Sequence, residues 1–132
     1  MFTYLETNSY LCGSDSAGVM RERIIKILLS EEAKEFILLQ PAKAQEKITY
    51  NLRKLQSGIM DKDLFKKLEG SEIWELRTLI NGICYRLFAF WDTTKEALVV
   101  ATHGIKKKTT KTPQKEIQRA ERMRQDYFRE ER

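Results

Sequence analysis

The 132-residue sequence contains few of the residues that build metal sites or disulfide frameworks. It has one histidine, two prolines and two cysteines, and the cysteines, Cys12 and Cys84, lie far apart. These residues, with no tight cluster of carboxylates, do not make a metal-ligand set, and two irregularly placed cysteines do not make a disulfide scaffold. We therefore expect no metal, and we expect both cysteines to be reduced thiols.

Other familiar signals are also missing. No run reaches the roughly 18 apolar residues of a bilayer-spanning helix, and residues 1–20 lack the basic start and apolar block of a secretion signal. The sequence has no glycine-rich phosphate loop, nucleophile elbow or dinucleotide fingerprint. These absences predict a cytoplasmic protein without a cofactor and without a membrane partner.

What the sequence does contain is an uneven surplus of positive charge. The formal net charge is +5, and residues 103–132 carry ten basic against five acidic residues, so that residues 1–102 are neutral. A basic end on a neutral body concentrates positive potential in one region. This distribution favours an anionic partner, such as a phosphate backbone.

The length fits one domain. Residues 1–20 show no sustained periodicity and end in a Gly-Ser-Asp-Ser-Ala-Gly cluster, which is typical of a loop. We therefore predict a loosely ordered extension over residues 1–20 and a folded domain over residues 21–132.

The first half of that domain predicts one strand and two helices. Arg23–Leu29 is rich in isoleucine and reads as a strand, and Ser30 follows as a helix N-cap. Pro41 suits the first position of a second helix, and Gly58 suits its C-cap. A short helical turn is expected over residues 64–68. One face of the second helix repeats at helical spacing and predicts the buried side: Ala44, Ile48, Leu52 and Leu55.

The middle of the chain predicts a β-hairpin. Ile73–Ile80 and Ile83–Trp91 flank Asn81-Gly82, the strongest short signal for a type I′ turn. This turn fixes the register, since a shift by one residue would move every side chain to the other face. One face then holds the predicted core: Trp74, Leu76, Thr78, Ile80, Ile83, Tyr85, Leu87, Ala89 and Trp91. The opposite face holds Glu75, Arg77, Arg86, Phe88 and Phe90.

A third strand over Ala97–Thr102 and a final helix complete the prediction. Thr112-Pro113 supplies an N-cap and a first-turn proline, and the apolar stripe of the helix is Ile117, Ala120, Met123 and Tyr127. The order β-α-α-β-β-β-α predicts an α+β fold, an antiparallel meander with helices packed on it.

The hairpin register places Arg77 directly opposite Arg86, where like charges destabilise a sheet. Glu75 or Asp92 would neutralise the pair in a purely structural arrangement. Alternatively, the two arginines join the nearby lysines, residues 106–108, in a phosphate site, because guanidinium groups grip phosphate bidentately.

The basic segment over residues 106–111 leads into the final helix, whose N-terminus favours anions. Such runs are commonly solvated loops, and Arg119, Arg122 and Arg124 of the helix fit an exposed polar face. His103, the only histidine, titrates near neutral pH and is a candidate proton-transfer group, although a lone histidine at a strand end is more often structural.

Several fragments, taken in order, resemble one family. Trp74-Glu-Leu-Arg77, Tyr85-Arg86, His103-Gly-Ile-Lys-Lys107 and Lys111-Thr-Pro113 with Glu116 and Ala120 resemble the RelE superfamily, and most closely its HigB-like, phage-derived toxins of type II toxin–antitoxin systems. The sequence departs from that pattern at Ile105, where phenylalanine is usual, and at Lys108, a third lysine.

The resemblance implies a RelE-like fold and a ribosome-dependent endoribonuclease that cleaves mRNA without a metal, by attack of a ribose 2′-hydroxyl. The implied partners are mRNA on the ribosome and a cognate helix-turn-helix antitoxin, in a hetero-oligomer with the toxin. The implied catalytic residues are Arg77, Arg86, Lys106, Lys107 and, as first candidate for proton transfer ahead of Tyr85 and Tyr127, His103. The RNA-binding candidates are Lys108, Lys111, Lys115 and Arg119. The alternative function is a non-catalytic basic module that binds RNA or DNA through the same surface.

Overall fold

The computed structural model describes residues 2–5, 25–107 and 111–131, which contain six strands and three helices. The elements follow the order β1 (Phe2–Tyr4), β2 (Lys26–Ser30), α1 (Glu31–Leu38), α2 (Ala42–Gln56), β3 (Phe65–Lys67), β4 (Trp74–Ile80), β5 (Ile83–Trp91), β6 (Leu98–Lys107) and α3 (Gln114–Glu131). The predicted lysine at position 108, Cys12 and most of the predicted extension lie outside the described residues.

The strands form one sheet in the order β1-β2-β6-β5-β4-β3. All neighbouring strands are antiparallel except β2 and β6, which run parallel. The α+β class and the predicted order of the main elements are confirmed. The sheet differs from a pure meander because β2, which precedes both helices, pairs with the last strand.

Two short strands were not predicted. Phe2–Tyr4 pairs with β2 at one edge of the sheet, and Phe65–Lys67 pairs with β4 at the other. The predicted helical turn over residues 64–68 is therefore wrong at its centre. Three residues are too few to show a strand period, so only the pairing of Phe65 with Leu76 and its neighbours reveals this strand.

The hairpin between β4 and β5 is confirmed in turn and register. Asn81 and Gly82 both have positive φ, 47° and 79°, as a type I′ turn requires. Ile80 pairs with Ile83, and Arg77 pairs with Arg86.

The first two helices begin and end near the predicted residues. The Ser30 hydroxyl accepts a hydrogen bond from the Ala33 N–H at 3.0 Å and caps α1. Pro41 is the N-cap of α2 rather than its first residue. Gly58, with φ of 94°, donates its N–H to the Leu55 carbonyl at 2.9 Å, a left-handed termination that glycine permits. The predicted buried face is confirmed: Ala44, Ile48, Leu52 and Leu55.

The last strand and helix differ from the prediction at their junction. β6 continues to Lys107, so His103 lies within the strand rather than at its end. The Pro113 carbonyl accepts the Glu116 N–H at 3.0 Å, and the helix begins at Gln114. The Thr112 hydroxyl bonds to side chains of the sheet instead of acting as the predicted cap.

Each face of the sheet has its own core. α1 and α2 cover one face, with Leu76, Leu87 and Val99 among the buried residues, and α3 covers the other, with Phe88, Phe90 and Val100. The hairpin face opposite the predicted core is thus also largely buried, under α3. Among the described residues, none of the helices offers an apolar stretch long enough to cross a bilayer.

Candidate phosphate-binding site

Strand alternation divides the predicted site between the two faces of the sheet. On β6, His103 pairs with Phe88, and Lys107 pairs with Cys84, so both side chains lie on the α3 face with Arg86. Lys106 pairs with Tyr85 and belongs to the opposite face. The two adjacent lysines that were expected to act together therefore point to opposite sides of the sheet.

Arg86 lies at the centre of a buried cluster on the α3 face, which we call the Arg86 network: Arg86, Glu75 and Thr112. The Arg86 side chain is 0 % exposed, and its Nη1 lies 3.3 Å from Glu75 Oε2. The same Nη1 donates to Thr112 Oγ1 at 2.8 Å, and the Thr112 hydroxyl donates to Glu75 Oε2 at 2.8 Å. A buried ion pair needs such extra hydrogen bonds to offset its desolvation.

The Arg86 network shows how the facing arginines, Arg77 and Arg86, are neutralised. Arg77 Nε lies 3.8 Å from Glu75 Oε1, so one buried carboxylate stands between the two guanidinium groups. Asp92, the other predicted neutraliser, instead accepts from the Tyr127 hydroxyl at 2.7 Å and pairs with Lys95. Neutralisation by Glu75 is the observed arrangement.

Three accessible cations lie next to the Arg86 network in the sheet or in the chain, and we call them the basic rim: Arg77, Lys107 and Lys111. The Arg77 side chain is 28 % exposed, Lys107 is partly exposed and Lys111 is exposed. Arg77 lies directly opposite Arg86 on β4, and Lys107 lies diagonally opposite Arg86 on β6. Side chains at directly opposite positions of a sheet start about 5 Å apart, and those at diagonal positions about 7–8 Å apart. Lys111 precedes Thr112, which contacts Arg86. Each rim residue is thus a neighbour of Arg86 in the sheet or of Thr112 in the chain.

His103 is buried beside this cluster. It is 2 % exposed and stacks against Phe88, with 4.9 Å between ring centroids. Its Nε2 lies 2.9 Å from Glu116 Oε1, and its Nδ1 lies 3.1 Å from the Thr102 hydroxyl. Burial lowers the pKa of His103 below 6.5, although the hydrogen bond to Glu116 opposes that shift. The imidazole, hydrogen-bonded through both ring nitrogens, joins α3 to the sheet.

The opposite face holds Lys106, whose Nζ lies 6.0 Å from the ring centroid of Tyr85. The same face holds Gly104, the glycine of the motif, and the structure shows why this position is a glycine. A Cβ at this position would overlap the Phe36 ring of α1, so the helix packs directly on the strand backbone.

These residues lie within a region that matches a known family. The family model described as "Phage derived protein Gp49-like (DUF891)" matches residues 35–125, more than half of the chain. The chain belongs to this Gp49-like family. The family is associated with RelE-like toxins, which are endoribonucleases, and so with toxin–antitoxin systems. No curated protein matches the chain.

The remaining predicted residues of the Gp49-like chain occupy different settings. Lys115 is exposed in the first turn of α3, close to the basic rim along the chain. Arg119 forms an ion pair with Glu32 of α1. Tyr127, a predicted proton-transfer candidate, is 3 % exposed and bonded to Asp92, and Tyr85 is 5 % exposed on the other face. Among the described residues, no cluster of His, Cys, Asp or Glu side chains is arranged to hold a metal ion.

Two residues of the site were missed by the sequence reasoning. Thr112 was predicted as a helix cap and Glu116 was noted as part of the family motif, yet they bond to Arg86 and His103. A general rule could have pointed to them: buried charged or polar side chains need hydrogen-bond partners. Arg86 and His103 lie under α3, so residues at the start of that helix are natural partners.

Proposed function

We propose that this Gp49-like chain is a HigB-like mRNA interferase toxin, a ribosome-dependent endoribonuclease that a cognate antitoxin neutralises. The observation that carries the proposal is the basic rim, three accessible cations that neighbour the Arg86 network in the sheet or in the chain. Membership of a family associated with RelE-like toxins supports it.

The proposed reaction uses the substrate's own nucleophile. A ribose 2′-hydroxyl loses its proton and attacks the adjacent phosphorus, the bond from phosphorus to the 5′-oxygen breaks, and that oxygen takes a proton. The products are a 2′,3′-cyclic phosphate and a free 5′-hydroxyl. Negative charge increases on the phosphoryl oxygens in the transition state, so fixed cations lower the barrier.

The rim residues have different proposed roles. Arg77 and Lys107 contact the scissile phosphate, since they are the partly exposed cations nearest to Arg86. Arg86 and Thr112 are positioning residues that hold the start of α3 against the hairpin. Lys111, Lys115 and Lys108 bind the RNA or ribosomal backbone. His103 acts through its bond to Glu116 rather than by contact with substrate, because it is covered.

Controlled expression in a bacterial host, with mapping of mRNA 5′ ends, tests the proposal. The wild-type chain should arrest growth and produce codon-phased cleavage. Arg77→Ala should reduce cleavage by about 100-fold or more, the cost of removing one charge-stabilising contact. Arg129→Ala is the matched control, because Arg129 is exposed on α3 and pairs with Asp126.

Two results would contradict the proposal. Wild-type expression that leaves every transcript intact would exclude the nuclease activity. Cleavage that persists unchanged in Arg77→Ala would exclude the basic rim as its site.

A second candidate is the non-catalytic module that binds RNA or DNA through the same surface. Burial of Arg86 and His103 favours it, because neither side chain is open to a substrate. Such a module would bind RNA with an affinity that falls steeply with salt, as phosphate contacts release counterions, and would yield no cleavage product.

A further inference from the structure

An unassigned groove lies at the hairpin end of the sheet, between α2 and the turn that joins β4 and β5. Its volume is about 680 Å³. Helix α2 contributes Lys43, Lys47 and Tyr50 to one wall, and the end of β4 and the turn contribute Leu79, Ile80 and Asn81 to the other. Ile80 packs on the face covered by α1 and α2, and the α2 wall of the groove belongs to that face.

The helix wall has a regular composition. Lys43, Lys47, Tyr50 and Lys54 follow each other at spacings of four, three and four residues, so they share one side of α2. The opposite side of α2 is buried in the core. Tyr50 is 60 % exposed, with Lys54 Nζ lying 5.5 Å from its ring centroid. Of the described residues that line the groove, Glu46 alone is acidic.

We propose that this groove binds an acidic amphipathic segment of the antitoxin. The inference rests on the proposed function for the identity of the partner. An apolar side chain of that segment would contact Tyr50 and Ile80, and its carboxylates would pair with Lys43 and Lys47. Charge complementarity of this kind guides association and fixes the orientation of the partner.

The composition of the groove favours a peptide over RNA. Single-stranded RNA is bound by aromatic faces that stack on bases and by arginine. Here Lys54 already lies over the Tyr50 ring, and the facing wall is aliphatic at Ile80. An aliphatic wall beside lysines matches a segment that carries both apolar and acidic side chains.

The α2 wall of the groove separates antitoxin binding from RNA contact. Arg77 and Lys107 of the basic rim lie on the α3 face, whereas Lys47 and Tyr50 lie on α2, which covers the opposite face. Substitutions in the groove should therefore weaken neutralisation and leave cleavage intact.

Calorimetric titration with the purified cognate antitoxin, the product of the neighbouring reading frame, tests the proposal. Tyr50→Ala and Lys47→Glu should each weaken binding by about tenfold or more, as for anchors at the centre of an interface. Tyr4→Ala is the matched control for the first, since Tyr4 is 55 % exposed on the distant edge strand β1. Lys62→Glu, at an exposed position of the turn before β3, is the control for the second.

In cells, the Tyr50→Ala and Lys47→Glu chains should arrest growth even when the antitoxin is co-expressed, while all four variants retain folded circular dichroism spectra. Wild-type affinity in both groove variants overturns the proposal, and so does equal weakening in the controls. Absence of antitoxin binding by the wild-type chain also overturns it, as does a groove variant that loses RNA affinity in place of antitoxin affinity. Absence of growth arrest by the wild-type chain alone would contradict the proposed function, while the titration would still decide the groove.

Discussion

The two faces of the sheet use positive charge in opposite ways. Under α3, Arg86 and His103 are buried and bonded to Glu75 and Glu116. On the face of α1 and α2, Lys43 and Lys47 are exposed along a groove. The net charge of a segment therefore does not show which of its cations are open to a ligand. On the α3 face, the buried Arg86 and His103 stabilise the packing of the helix on the sheet.

The contrast is sharpest between Arg77 and Arg86, which face each other across one pair of strands. Both lie near Glu75, but Arg77 is 28 % exposed at its side chain, whereas Arg86 is covered by Thr112 and α3. We infer that Arg86 organises the site and that Arg77 is available to a substrate.

Arg86→Ala should produce the largest loss of stability. Removing one partner of a buried ion pair leaves Glu75 with an uncompensated charge, a cost of about 3–5 kcal/mol in the free energy of unfolding. Urea denaturation measures this change. Arg77→Ala should cost under about 1 kcal/mol, because that pair is longer and partly exposed. Equal losses in the two variants would remove the distinction between the arginines.

Replacing each adjacent lysine in turn tests the division of the faces. Lys107→Ala should slow mRNA cleavage by about 10- to 100-fold, since it removes a charged contact to phosphate. Lys106→Ala should change it by less than about threefold, because its side chain lies beside Tyr85 on the other face. The measurement is the rate of transcript cleavage on programmed ribosomes. A larger effect at Lys106 would show that RNA binds on the face of α1 and α2.

Local signals predicted the parts of the fold that depend on neighbouring residues. Asn81-Gly82 set the hairpin register, and Ser30 set the start of α1. The register also predicted that Arg77 faces Arg86, and the ordered motifs indicated a toxin family that the Gp49-like match supports in its coarser form.

The remaining features depend on contacts between distant residues. The burial of Arg86 and His103 follows from the packing of α3, and nothing near these residues in the chain specifies which side chains of the helix reach them. The separation of Lys106 from Lys107 required the continuation of β6 beyond Thr102, which moved both lysines from a predicted loop into a strand with alternating sides. β3 is visible only through its pairing with β4.

Gly104→Ala tests how closely α1 packs on the lysine-bearing strand. A methyl group at this position would overlap the Phe36 ring, so the helix or the ring must shift, at a cost of about 1–3 kcal/mol. Thermal unfolding measures the loss. Adding Phe36→Leu should recover part of it by making room. A Gly104→Ala chain as stable as the wild type would mean that α1 tolerates displacement.

The smallest expected effect is a pH dependence that arises on the α3 face. Because the pKa of His103 is lowered below 6.5 in the folded chain, the unfolded chain binds more protons as pH falls through 6.5. The contribution of the neutral imidazole to stability is thus complete above pH 6.5 and is lost progressively below it. His103→Gln retains a polar side chain but does not titrate. Urea unfolding at several pH values between about 7.5 and 5 should therefore show a shallower decline for His103→Gln than for the wild type. Parallel declines would mean that folding leaves the pKa of His103 unchanged, and a shallower decline in the wild type would mean that Glu116 holds the imidazole protonated in the folded chain.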